Sequence, residues 1–214
     1  VTTTELPMFP LGGVLLPQMV LPLHIFEPRY RALMQDVLDG DGRFGVVLID
    51  RGQEVGGDDV RGDLGAVARV VQSEELEDGR WLTVTVGERP LRVVEWLADD
   101  PYPRALVELL DEGPTSPATR DRLADVETRL RRVLALLVEL DRPAAPATVE
   151  LDEDPRAAAW QVAVLTPAGP LDKRALLDLP DVDARLAAVE DLLVDAEELL
   201  RLEIAAGGPP DDDA

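Results

Sequence analysis

Leu21-Pro22-Leu23-His24-Ile25-Phe26-Glu27-Pro28-Arg29-Tyr30-Arg31 changes character halfway along. Up to Phe26 the run is apolar and interrupted by proline, which suits a short strand and not a helix. Glu27-Pro28 then opens a helix, because proline at the first helical position gives up an N–H that would have no partner anyway. Tyr30, Leu33, Met34, Val37 and Leu38 recur at spacings of three and four, so one face of that helix is apolar, and Gly40 ends it. Upstream, Leu6–Phe9 and Val14–Leu16 read as two further short strands with Pro-Leu-Gly-Gly between them. Downstream, Phe44–Ile49, Leu64–Val71, Trp81–Val86, Leu91–Leu97 and Ala105–Leu110 alternate or run apolar as strands. Turns are expected at Glu77–Gly79, Gly87–Pro90 and Asp99–Pro103, and the polar, glycine-rich Asp50–Asp63 reads as a flexible loop. Short, closely spaced strands with one inserted helix predict a small closed or half-closed β-barrel over residues 1–112.

The pattern switches at Gly113–Pro117. Ser116 can cap a helix that Pro117 opens, and Leu123, Val126, Leu130, Val133, Leu137 and Leu140 keep the spacing of a seam that packs along a neighbour. Asp154-Pro155 opens a second helix, apolar almost all round and so expected at the centre of a bundle. A short helix follows over 172–179, and a last one runs from about Asp181 to Ala206. The predicted organisation is therefore α+β: a barrel over 1–112, a linker over 113–117, a helical bundle over 118–206 and a disordered tail over 207–214.

Composition removes many functions. The chain has 214 residues and a formal net charge of −22, split evenly between residues 1–112 and 113–214. A phosphate-binding face needs clustered Lys and Arg, so neither nucleic acid nor an anionic membrane is expected as a partner. There is no cysteine, and His24 is the single histidine, which excludes a thiolate nucleophile and a two-histidine metal site within one chain. Only Ser73 and Ser116 could serve a serine–histidine relay. No cofactor is expected. The competing reading is a hydrolase that uses two carboxylates in a cleft between barrel and bundle. Against it, 43 acidic residues spread over the chain single out no pair. Residues 6–26 carry no charge over a length that could span a membrane, but Pro7, Pro10, Pro17 and Pro22 would break such a helix. With no basic segment before it and no cleavage motif after it, a cytoplasmic location is predicted.

Met8-Phe9-Pro10-Leu11, Gly13-Val14-Leu15-Leu16-Pro17 and the Leu21–Arg31 run together resemble the opening of the Lon protease N-terminal domain, most closely its free-standing bacterial versions. The resemblance continues through Phe44–Val47, Leu64–Val70, Asp78–Arg80, Val86–Arg89 and Tyr102–Glu108, and more loosely through Lys173–Leu177 and Asp183–Leu186. It implies a PUA-like β-barrel followed by a helical bundle, used to bind protein substrates for degradation. Arg89-Pro90-Leu91-Arg92 departs from the arginine–phenylalanine pattern usual at that point. The chain has no G-x-x-x-x-G-K-[ST] loop, so the ATPase and peptidase parts of Lon are not in this sequence. The function expected is a non-catalytic module for unfolded or flexible protein segments, with a protease or chaperone as its working partner.

Met8, Phe9, Leu16 and Met19 are the candidate peptide-binding residues, on the ground that so proline-broken an apolar run leaves some side chains at the surface. Filling the barrel core is the competing reading for the same residues. His24 is expected to make structural backbone bonds near the helix start. Glu27 and Arg31 have the spacing of an ion pair along the first helical turn. Glu190, Asp191, Asp195, Glu197 and Glu198 read as a solvated helix face.

Overall fold

A computed structural model describes residues 3–51 and 60–206. Of the loop expected over Asp50–Asp63, residues 52–59 lie outside the described residues, as does the tail from Gly207, while Asp50 and Val60–Asp63 belong to strands. In chain order the elements are β1 (Thr3–Leu11), β2 (Val20–Ile25), α1 (Pro28–Asp39), β3 (Arg43–Arg51), β4 (Val60–Glu75), β5 (Trp81–Trp96) and β6 (Arg104–Leu109). Helices α2 (Pro117–Glu139), α3 (Pro155–Leu165), α4 (Pro170–Leu176) and α5 (Val182–Ala205) follow. Two compact units result. The first contains the chain up to Asp111 together with Pro170–Asp178, and the second contains Glu112–Gly169 with the chain from Leu179 onward.

In the first unit the six strands form one sheet in the order β2-β5-β4-β3-β1-β6, and β5 also pairs with β6. That extra pairing closes a circuit β1-β3-β4-β5-β6. Its one parallel pair is β1 with β3, from Met8↔Gly45 to Leu11↔Leu48. Met8, Val47, Val67, Leu91, Ala105 and Val107 form its apolar interior. Room for Met8 comes from Gly45, where a Cβ would lie 2.5 Å from the methionine sulfur. A side chain at position 45 would force the end of the methionine side chain to shift.

Strands β4 and β5 are each 16 residues long, too long for the circuit alone. The end of β4 and the start of β5 leave the circuit and pick up β2, making an antiparallel outer wing. The turn expected at Gly87–Pro90 is instead a bulge inside one continuous β5. Opposite it the register jumps from Val67↔Arg89 to Ala68↔Gly87, which leaves Glu88 as the extra residue. The bulge turns the Glu88 carboxylate towards two cations, Arg43 Nε and Arg69 Nε, both at 2.6 Å. Burial pushes this carboxyl up, but the two arginines more than offset it and hold it below the usual range. Val14–Leu16, expected as a strand, is irregular. Proline and glycine on either side prevent a ladder, and the buried Leu15 and Leu16 anchor the segment as a packed loop.

Helix α4 belongs with the first unit through charge as well as packing. Arg174 bonds Asp50 and Asp63, Asp178 pairs with Arg92, and Leu176 and Leu177 are buried. In the second unit α2, α3 and α5 pack together. A Ser116–Thr119 capping box starts α2, and Asp181 caps α5 through the Ala184 N–H. Val126, Leu130, Val133 and Leu137 bury the seam that their spacing predicts. Glu197, expected on a solvated face, is buried instead, where Arg129 at 2.8 Å and Arg201 at 2.6 Å neutralise it.

Candidate functional site

The four residues singled out from sequence have different fates. Met8 is fully buried in the interior of the circuit, and Leu16 is fully buried beneath β5. Phe9 is nearly so, stacked on Tyr30 of α1 with ring centroids 4.2 Å apart. The expectation that these three reach the surface is therefore corrected. Strand β1 is paired on both edges, its Met8 side lies inside the circuit, and its Phe9 side lies under α1. Met19 alone keeps partial exposure, and its carbonyl accepts the Gly87 N–H at 3.0 Å.

The exposed apolar surface lies one segment further on, on the outer wing. Pairing puts three cross-strand rows on one face: Val20 beside Val86, Pro22 beside Val84 and Gln72, and His24 beside Leu82 and Glu74. The opposite face carries Leu21, Leu23, Thr83 and Thr85, and both threonines are buried, at 3% and 0% exposure. Strand β5 thus inverts the usual polarity. Its threonines point inward, while Leu82 is 43% exposed and Val84 and Val86 are half-buried. Thr85 tolerates burial because its hydroxyl donates to the Leu21 carbonyl at 3.0 Å. Val20 and Phe26, 59% and 50% exposed, extend the apolar surface along β2. The face is concave. A depression of about 400 Å³ is lined by Pro22, Leu23, His24, Gln72, Glu74, Leu82, Thr83 and Val84.

Pro22 fits this strand because β2 is an edge. The Gly87 N–H donates to Met19, so the antiparallel alternation turns Leu21 and Leu23 towards β5 and leaves Val20, Pro22 and His24 facing away. At such an outward position a proline forfeits no ladder bond. His24 does not make the backbone bonds expected of it. Its ring is exposed, with Nε2 3.3 Å from Arg80 Nη1 and the Phe26 ring centroid 6.0 Å away. The Arg80 backbone N–H, and then its guanidinium, hold Asp78 below the usual carboxylate range. Glu27 pairs with Arg29 at 3.2 Å and not with Arg31.

Ser73 pairs with Thr83 and so lies on the opposite face from His24, which rules out a relay between them. Among the described residues no group of three His, Asp or Glu side chains could hold a metal ion.

Residues 5–195 match the model of the ATP-dependent protease La (LON) substrate-binding domain. The chain belongs to the Lon substrate-binding domain family. Among curated relatives, it is 30% identical over 203 residues to Lon protease 2 of Myxococcus xanthus, covering 92% of this chain and 24% of the relative. Lon protease 2 of Herpetosiphon aurantiacus is 28% identical over 206 residues, covering 94% of this chain and 25% of the relative. The chain therefore spans about a quarter of the length of these relatives. Among solved structures, a Lon N-terminal domain protein from Xanthomonas campestris superposes with a TM-score of 0.61 at 27% identity, covering 89% of this chain and 98% of that one. The N-terminal domain of the Mycobacterium avium complex Lon protease gives 0.60 at 20% identity, covering 90% of this chain and 99% of that one, a likeness of fold alone. An α+β architecture with a six-stranded sheet is thus shared with Lon N-terminal domains. Among the described residues no helix is long and apolar enough to cross a membrane.

Proposed function

We propose that this chain is a non-catalytic recognition module that holds flexible or unfolded protein segments on the outer wing. The observation that carries the proposal is the inverted polarity of β5, with threonines buried and Leu82, Val84 and Val86 turned outward. Core packing alone would select the opposite arrangement, since buried polar and exposed apolar groups are the informative departures from the ordinary burial rule. A contiguous, concave apolar face beside an edge strand is the geometry that accepts apolar side chains from an extended chain. Membership of a substrate-binding family supports the same reading. The closed strand circuit is read as the PUA-like barrel, and α2, α3 and α5 as the bundle. The module is proposed to act in the cytoplasm beside a protease or chaperone. An even acidic charge argues against nucleic acid or anionic membrane as ligand.

The test is Leu82→Asp in the whole chain, with reduced, unfolded casein as client. Leu82 is already 43% exposed, so the melting temperature should move by no more than about 3 °C. Capture should fall at least about tenfold, because an apolar anchor site would then hold a charge. Unchanged capture by a folded Leu82→Asp protein places client binding elsewhere.

A further inference from the structure

We infer that the wing selects segments in which apolar residues are flanked by Lys or Arg, and that Glu74 is the residue reading that charge. The inference rests on the wing being the client-binding face. Glu74 lies on the apolar face in the same row as His24 and Leu82, and it lines the depression. It is exposed and makes no ion pair among the described residues. Glu75 and Glu77, next to it along the chain, are also exposed and also without ion pairs among the described residues.

The charges nearby do not cancel this field. Arg80 is engaged with Asp78 at 2.7 Å and reaches His24 from the same side chain. Elsewhere in this unit other carboxylates meet a guanidinium. Asp99 pairs with Arg61, Glu88 with Arg43 and Arg69, and Asp111 with Arg89. Glu74, the one carboxylate lining the depression, is thus left without an ion pair among the described residues. A cation on the ligand supplies the missing partner. The apolar residues beside it occupy the depression over Pro22, Leu82 and Val84. An acidic segment of equal hydrophobicity is repelled. Specificity of this kind is set by complementary and repulsive charge together, and it weakens with salt.

The experiment uses two fluorescent peptides of about ten residues with one shared Leu-Val-Phe core, flanked by lysines in one and glutamates in the other. At low salt the lysine peptide should bind the whole chain about tenfold more tightly, and the ratio should shrink to about twofold near 0.5 M salt. Glu74→Lys, an exposed change that leaves the melting temperature in place, should bring the two affinities together or reverse them. Equal binding of both peptides to the unaltered chain, each lost in Leu82→Asp, overturns the charge inference and keeps the wing as the client site. A lysine preference that survives Glu74→Lys intact also overturns it. Binding of both peptides that Leu82→Asp leaves unchanged removes the wing itself, and the inference with it.

Discussion

Gly87→Ala offers the sharpest test of how the wing is held. A Cβ at this position would lie 2.8 Å from the Leu16 carbonyl carbon, closer still to its oxygen, and 3.2 Å from Pro17 Cα. Those neighbours are backbone, so no rotamer change relieves the clash. The segment from Leu16 to Met19 must move, and with it go Gln18 N–H to Gly87 O at 2.8 Å and Gly87 N–H to Met19 O at 3.0 Å. Two lost bonds at about 1 kcal/mol each, added to about 1–3 kcal/mol of overpacking, give a destabilisation of roughly 3–5 kcal/mol. For a unit of this size that is a fall of about 10–15 °C in melting temperature. Gly13→Ala is the control, because its Cβ would meet nothing within 4 Å. It should leave stability unchanged or raise it by less than about 1 kcal/mol. Thermal melts followed by circular dichroism would read both. A Gly87→Ala protein that melts within about 2 °C of the Gly13→Ala control refutes the packing argument.

Two predictions concern other parts of the fold. Arg185 is fully buried, its guanidinium carbon 3.5 Å from the Trp160 ring centroid, and Glu112 Oε1 approaches it at 2.6 Å while also accepting the Trp160 Nε1 proton. No guanidinium nitrogen of Arg185 has an aligned acceptor, so the approach to Glu112 is a charge contact; burial pushes the guanidinium below its ordinary value. Glu112→Ala strands that charge and should lower denaturant stability by about 3–5 kcal/mol, whereas Glu112→Ala with Arg185→Met should recover most of the loss. The Tyr102 hydroxyl donates to Asp36 at 2.5 Å, and burial first, then that carboxylate, push its pKa up to about 12 from 10.0. Because the folded pKa is the higher, the stabilisation is complete below pH 10 and is lost as pH rises towards 12. Unfolding free energy measured across that window should fall in the parent chain and fall less in Tyr102→Phe.

Much of the fold is legible in the residues. Glu27-Pro28 starts α1, Ser116-Pro117 starts α2 and Asp154-Pro155 starts α3, each because a capping or extended residue precedes a proline suited to the first turn. Spacing of apolar residues found the seam of α2. What the pattern could not separate were positions apolar on both parities. Leu6–Pro10 is apolar throughout because β1 is covered on both faces, so nothing in its sequence distinguishes core from surface. Val20–Leu23 is apolar throughout for a different reason, being core on one face and exposed on the other. Pro22 is compatible with an edge strand, but Pro7, Pro10 and Pro90 also lie within strands, so proline alone does not mark the exposed edge. The alternation Leu82-Thr83-Val84-Thr85-Val86 gives the right period but the wrong side. Hydropathy assigns the threonines to solvent, and only the pairing with β2 and β4 shows them buried. The Gly87–Pro90 bulge was unreadable for a similar reason. Its glycine and proline are turn formers, and the neighbour that requires the glycine, Leu16, is distant in sequence.

Amide hydrogen exchange on the whole chain, with and without unfolded casein, reads whether client sits on the outer wing. Client binding there should slow exchange in Val20–Phe26, Gln72–Glu75 and Trp81–Val86, the three segments of the outer wing. Client-dependent protection confined to α2 and α5, with those three segments unchanged, would contradict it.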